Sequence, residues 1–312
     1  MTASTRRPNA RIGLLQVCAA GVLWGTGGLA VTVLHERDGV GAMTVSAWRM
    51  VIAAVVLALF VIATGRAAEV RRMMRHHRVA AIVIGCGTAV YQGLYFVSVL
   101  MVGVSVATVV SLGLAPVLAA TWEHAAARTR PTAKDTTVLL AALGGLALIS
   151  SAAGHGSTAP LDRPVLGLGL AIAAGATYAA TTVLGHVLAP RVEPVALTTC
   201  ATAAGAVLLT PFLLVAVASG EPVAGTSPAS LALLIYLGVA TMALAYSLLY
   251  AGLRTTSGSA ATLATLVEPI SAAALAAVIL GERLNGAGVV GAVLILAAVL
   301  ALRPSEERPL AG

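Results

Sequence analysis

GSAATLATLVEPISAAALAAVILGE, residues 258–282, is the stretch on which the reading of this chain turns. At about 1.5 Å of rise per residue a helix of this length crosses a bilayer, which brings Val267-Glu268-Pro269 close to the midplane. Both the carboxylate and the proline are costly there. An ionisable group deep in hydrocarbon has to face protein or a wet cavity, and a proline in mid-span removes a backbone donor and bends the helix. A chain that keeps both at one level has something there to bind or to move.

Composition leads to the same setting. The 312 residues are 59% hydrophobic and 10% charged, with mean hydropathy +0.96; an average soluble domain carries roughly 25% charge. This is an integral membrane protein. All the basic residues but Lys134 are Arg, which with the Ala and Gly content points to a GC-rich bacterial genome. Cys18, Cys86 and Cys200 lie in apolar runs without paired spacing, so no disulfide framework, metal site or other cofactor is indicated.

Ten apolar segments follow a polar start, at 12–34, 42–64, 79–101, 104–126, 136–153, 165–188, 194–218, 229–252, 257–281 and 286–303. Each is near the roughly 17–25 residues that a span needs. The Arg6-Arg7 pair ahead of the first segment imitates an export signal, but no small-residue cleavage site follows, so the segment reads as a retained anchor. No stretch has the length or composition of a soluble domain.

Orientation follows from the Lys and Arg, since positive loops stay in the cytoplasm. With the N-terminus inside, Arg6, Arg7, Arg11, Arg66, Arg71, Arg72, Arg75, Arg78, Arg128, Arg130, Lys134, Arg191, Arg254, Arg303 and Arg308 fall on one side. Arg37, Arg163 and Arg283 fall on the other, and Arg49 lies within a span. The net charge of +7 is thereby explained by topology and contact with anionic lipid heads, leaving no nucleic-acid partner to invoke. The expected setting is the bacterial inner membrane, with residues 1–11 and 304–312 as cytoplasmic tails.

The halves echo each other. A shift of 153 positions brings Gly85 onto Gly238, Thr88 onto Thr241, Leu100 onto Leu253 and Pro116 onto Pro269. Five spans per half is an odd number, so the second half enters from the opposite face. The expected fold is therefore all-α, with ten transmembrane helices as two inverted repeats, residues 12–154 and 155–303, and with substrate sites at the repeat interface. Pro116 and Pro269 become symmetry mates, expected to kink the fourth and ninth spans.

With Trp24-Gly25 in the first span, Arg49 in the second, a proline in the fourth and ninth, and Glu268-Pro269 followed by Gly281-Glu282-Arg283-Leu284, the chain resembles the EamA-type branch of the drug/metabolite transporter superfamily. The first half departs from that pattern, with Ala126-Ala127-Arg128-Thr129-Arg130 where a second such ending is expected. The resemblance implies export or exchange of small metabolites, amino acids or drug-like compounds.

Glu268 is the sharpest candidate. Away from water the neutral form of a carboxyl gains ground, which suits a proton-coupling or substrate-amine site; the alternative is a structural Glu bonded to a neighbouring helix. Arg49 either snorkels to the interface beside Trp48 or faces the cavity, where it would hold a substrate carboxylate or pair with Glu268; the different depths of the two speak against the pairing. Thr88, Tyr91, Tyr95 and Ser98 recur every three or four residues and form one polar aromatic stripe, fit to line a cavity or to bond between helices. Tyr246 and Tyr250 form a second pair, with an interfacial belt as the alternative for Tyr250. Trp24, with Gly21, Gly25 and Gly28, reads as a close helix crossing topped by an aromatic wall. Tyr178, with Thr177, Thr181 and Thr182, ranks lower, and Thr262 and Thr265 can reach Glu268 or bond back to their own helix. Glu123 and His124 read as solvated at the cytoplasmic edge.

A secondary transporter, expected to be an exporter working by alternating access around a midplane cavity, accounts best for these features. Small-molecule substrate and protons are its expected partners. The alternative of an intramembrane enzyme needs several carboxylates on one face, a His pair or a Ser with a base, whereas the spans hold one buried carboxylate and no deep histidine. A passive channel remains the other alternative. No Gly-rich Lys-Ser/Thr loop is present to drive transport with ATP.

Overall fold

The computed structural model describes residues 10–102, 104–153, 164–279 and 286–301. The two tails, the 154–163 loop and the Gly281-Glu282-Arg283-Leu284 motif lie outside the described residues, as do the surroundings of Gly28.

Each of the ten apolar segments carries helix. The first four become α1 (Ala10–Asp38), α2 (Ala42–Ala63), α4 (Arg78–Val102) and α5 (Val104–Ala126), with a short surface helix α3 (Ala67–His76) between α2 and α4. Next come α6 (Ala133–Ala153), α7 (Pro164–Leu188) and α8 (Pro194–Ala218). The eighth segment is α9 (Pro228–Gly238) and α10 (Ala245–Gly252), joined by a π-helical turn, and the ninth is split into α11 (Gly258–Ala264) and α12 (Val267–Ile279). Helix α13 (Gly286–Ala301) ends the described chain. Six of these spans are long and apolar enough to cross a membrane on length and composition alone, and no strand occurs among the described residues. The fold is an all-helical, multi-pass membrane architecture in two repeats.

The repeats interlock. Helix α7, first of the second repeat, lies along α4 and α5, while α1, first of the first repeat, lies along α10 and α12. The second helices α2 and α8 pair with each other, and so do the last, α6 and α13. Glycines mark the crossings by letting backbones approach. A Cβ on Gly85 would lie 2.1 Å from the Ala201 carbonyl of α8, and one on its mate Gly238 would lie 2.4 Å from Ile52 Cγ2 of α2. The most extensive packing in the molecule therefore runs between the repeats.

Side-chain contacts sort the helix ends onto two faces. On the near face, where α1 begins, Arg66 pairs with Glu193 at 3.2 Å. Glu123 accepts hydrogen bonds from the Ser259 N–H, at 2.9 Å, and from the Ser259 hydroxyl. Glu123 therefore caps α11 instead of sitting in solvent, because the first turn of that helix presents unpaired N–H groups. On the far face Ser230 donates to Asp38 at 2.5 Å and Trp48 donates its indole N–H to the Val223 carbonyl at 2.7 Å.

Candidate functional site

The site is built around the break between α11 and α12. Pro269 has no N–H, and in an uninterrupted helix it would strand the Thr265 carbonyl and press its ring against it. The helix stops instead: Thr265 and Leu266 turn, and α12 starts at Val267. The backbone tightens through the turn, with Leu266 N–H donating to the Leu263 carbonyl at 3.1 Å and Glu268 N–H to the Thr265 carbonyl at 2.9 Å. Pro269 thereby falls in a first helical turn, where a missing donor is no loss. Glu268 stands in the same turn, where the helix dipole favours negative charge.

Helix α1 lays two glycines on this break. A Cβ on Gly21 would lie 3.2 Å from the Thr265 carbonyl oxygen, and one on Gly25 would lie 2.4 Å from the Glu268 carbonyl oxygen. Trp24 donates its indole N–H to the Thr241 carbonyl at 2.8 Å and stands 5.0 Å, ring to ring, from Tyr246. The carbonyl is open to it because of the π-helical turn: the Ala245 N–H, which in a plain α-helix would reach Thr241, goes to Ala240 and Met242. The aromatic wall expected at Trp24 and the close crossing are thus one arrangement.

Arg49 reaches the same centre from α2. Its neighbour Trp48 turns to the far face, while Arg49 is half-buried and interacts electrostatically with Tyr246, Glu268 and Tyr91. Arg49 and Glu268 act on each other electrostatically, but no ion pair within 4.0 Å joins them, and Arg66–Glu193 is the one such pair among the described residues. The Glu268 carboxylate likewise has no hydrogen-bond partner among the described residues. Facing them, Tyr91 stacks on Tyr178 at 5.0 Å, and the Tyr178 hydroxyl bonds the Thr265 hydroxyl at 3.0 Å, tying α7 to the break.

Beside this centre Met50, Thr88, Thr198, Thr202, Met242, Tyr246 and Tyr250 line a cavity in which the volume open to the centre of a water molecule is about 10 Å³. That is space for about one water. Around it the helices are tied together by the contacts of both faces and by the hydroxyl pair Thr26–Tyr236.

Comparison with known proteins bears directly on this arrangement. The EamA-like transporter family matches the chain twice, over residues 11–151 and 165–303. The chain belongs to the EamA-like transporter family. Among its EamA-type relatives, the uncharacterized transporter YwfM of Bacillus subtilis (strain 168) is 30% identical over 229 residues, covering 73% of each chain. The uncharacterized inner membrane transporter YicL of Salmonella typhimurium (strain LT2) is 25% identical over 299 residues, covering 96% of this chain and 97% of that one. A solved crystal structure with 22% identity has the same fold, with a TM-score of 0.74 over 93% of this chain and 95% of its own.

The remaining candidates of this EamA transporter divide. Tyr95 bonds Thr108 of α5 at 2.7 Å and Ser98 bonds the Gly167 carbonyl of α7 at 2.8 Å, so that end of the stripe holds helices together. Thr88 bonds back to Ile84 and Thr262 to Gly258, and Thr265 bonds Thr262 as well as Tyr178. Thr177 and Thr181 also bond their own helix. Tyr250 is 2% exposed, which removes the belt reading. Pro116 lies inside an unbroken α5, whereas the break precedes Pro269. Ser46 and Gln92, both buried, were not singled out by periodicity; Gln92 is the one amide in its segment, and that was the available signal.

Proposed function

We propose that this protein is a secondary transporter that exports a small zwitterionic metabolite of amino-acid type across the bacterial inner membrane by alternating access, with both termini cytoplasmic. The observation that carries the reading is the facing of Arg49 and Glu268, opposite charges from different repeats, across an aromatic centre without a short ion pair between them. A substrate carboxylate answers Arg49, an ammonium or a proton answers Glu268, and the rings of Trp24, Tyr91, Tyr178 and Tyr246 take the apolar body. Substrate entering between the two charges satisfies both.

The moving units follow the packing. Helices α4, α5 and α7 form one group, with α11 packed on α5, and α1, α10 and α12 form the other. The two groups hinge at the break between α11 and α12, before Pro269, which supports alternating access over a fixed pore. Proteoliposome counterflow with radiolabelled amino acids and cationic drugs, with and without a pH gradient, tests the proposal. Glu268→Gln should abolish flux or its response to the gradient while expression is kept; undiminished, gradient-sensitive flux in that variant would overturn it.

A further inference from the structure

Six buried side-chain polar atoms lack a hydrogen-bond partner among the described residues, and four of them belong to three residues: Ser46 Oγ, Arg49 Nε, and Gln92 Nε2 and Oε1. Ser46 is 0% and Gln92 5% exposed. Polar groups buried in a membrane protein are normally paired, because neither lipid nor a dry core can take the place of water. An unmet cluster is therefore either a defect or a site whose partner arrives from outside.

Register places the three at one level. Met50 of α2 and Thr88 of α4 line the same small cavity. The two helices run in opposite directions, and Met43 lies 3.4 Å from where a Cβ on Gly93 would be. Ser46 sits one turn before Met50, and Gln92 one turn after Thr88, so both step out of the cavity wall in the same direction, between the Met50–Thr88 and Met43–Gly93 contacts. Arg49 follows one turn after Ser46 on the side of α2 toward Tyr246 and Glu268.

We propose that Ser46, Arg49 and Gln92 form the subsite that holds the carboxylate of the transported molecule, with Gln92 and Ser46 setting specificity for it. The inference rests on the transport reading above and adds to it. Three donors, the guanidinium N–H, the amide N–H and the hydroxyl, stand at one level with a single full positive charge, a set that matches a planar monoanion with its several lone pairs. A phosphate dianion would bring a second negative charge toward Glu268, which only one cation is there to offset. A site built from buried donors rejects the analogue lacking the acceptor, because its own groups are then left unpaired.

Paired probes test this: phenylalanine with phenylalaninamide and leucine with leucinamide, each as the trans solute in proteoliposome counterflow. The wild type should favour the acid over the amide by about tenfold or more. Gln92→Leu and the milder Ser46→Ala should bring that ratio close to one. In substrate-free detergent solution Gln92→Leu should also melt at a temperature at or above that of the wild type, since it deletes two unpaired atoms. An unchanged acid-to-amide ratio in a folded Gln92→Leu protein would overturn the subsite while leaving the transport reading standing, and so would a clear drop in its melting temperature, which would mean the amide is already bonded in the free protein. A wild type that moves neither member of either pair would remove the amino-acid reading, and the subsite with it.

Discussion

The same crossing is built twice in this molecule, once with a charge and once without. In the first, α7 lies over α5, and a Cβ on Gly175 would come within 2.6 Å of the Ser111 carbonyl oxygen. In the second, α1 lies over α11–α12, with Gly21 and Gly25 against Thr265 and Glu268. Pro116 and Pro269 match at a shift of 153, and the residue before each is Ala115 in one and Glu268 in the other. Helix α5 runs through its proline unbroken, and the ninth segment stops. Proline therefore does not decide the break by itself. Thr265, where α5 has Leu112, holds the turn through its bonds to Thr262 and Tyr178, and the break gives Glu268 a helix start to stand on. One repeat sets an alanine beside its proline at the crossing, and the other sets a carboxylate there.

The largest separation between the two is expected from the glycines. Gly25→Ala has no room beside the Glu268 backbone, and Gly175→Ala none beside Ser111; each should cost about 1–3 kcal/mol of stability. Transport per folded molecule should collapse in Gly25→Ala, because the intruding methyl moves Glu268, and should survive in Gly175→Ala. Melting curves and counterflow normalised to folded protein decide it, and equal loss of flux in both would erase the proposed division of labour. A smaller contrast is expected at the prolines. Pro269→Ala returns an N–H to the Thr265 carbonyl and lets α11 and α12 run together, which should lower flux about tenfold, the effect of roughly 1.4 kcal/mol at the hinge. Pro116→Ala only relieves an interior proline and should raise stability, by up to about 3 kcal/mol.

Much of this was legible in the chain. Hydropathy located the helices, and the shift of 153 predicted a repeat whose mates, Gly85 and Gly238, do occupy equivalent crossings. Glu268 stood out because a carboxylate in hydrocarbon needs a reason. What periodicity could not supply was partnership across the interlocked repeats. It treated each span as straight and complete, and the ninth is neither. It left Glu123 in solvent because a side chain at one helix end gives no sign of whose N-terminus it will cap. The π-helical turn that opens the Thr241 carbonyl to Trp24 depends on a one-residue change of winding that composition does not encode.

The bond between Tyr178 and Thr265 sharpens the comparison further, since it links the scaffold helix α7 to the functional break. Tyr178→Phe and Thr265→Val should each cost about 1 kcal/mol, and a double-mutant cycle should return a coupling of similar size. Additive losses would mean that α7 and the break are held by packing alone.

The smallest effect lies where the repeats differ at the surface. Asp135, ahead of the fifth apolar segment, accepts from the Thr132 hydroxyl at 2.7 Å and the Thr132 N–H at 3.0 Å, and Thr132 Oγ1 accepts from the Asp135 N–H at 3.2 Å. This reciprocal cap starts α6, whereas position 288, its counterpart in α13, is glycine and has no side chain to make one. The Thr132 hydroxyl bond, ahead of burial acting the other way, holds the Asp135 carboxyl below its ordinary range. A group depressed in the folded state stabilises it above the unfolded pKa and loses that contribution as pH falls through the folded one. Asp135→Ala should therefore lower stability by about 0.5–1 kcal/mol near neutrality and by progressively less as the solution is acidified below the carboxylate range. Thermal melting of the wild type and the variant across that interval checks the sign. A difference that grew on acidification would mean that the fold stabilises the neutral carboxyl of Asp135 and not its carboxylate.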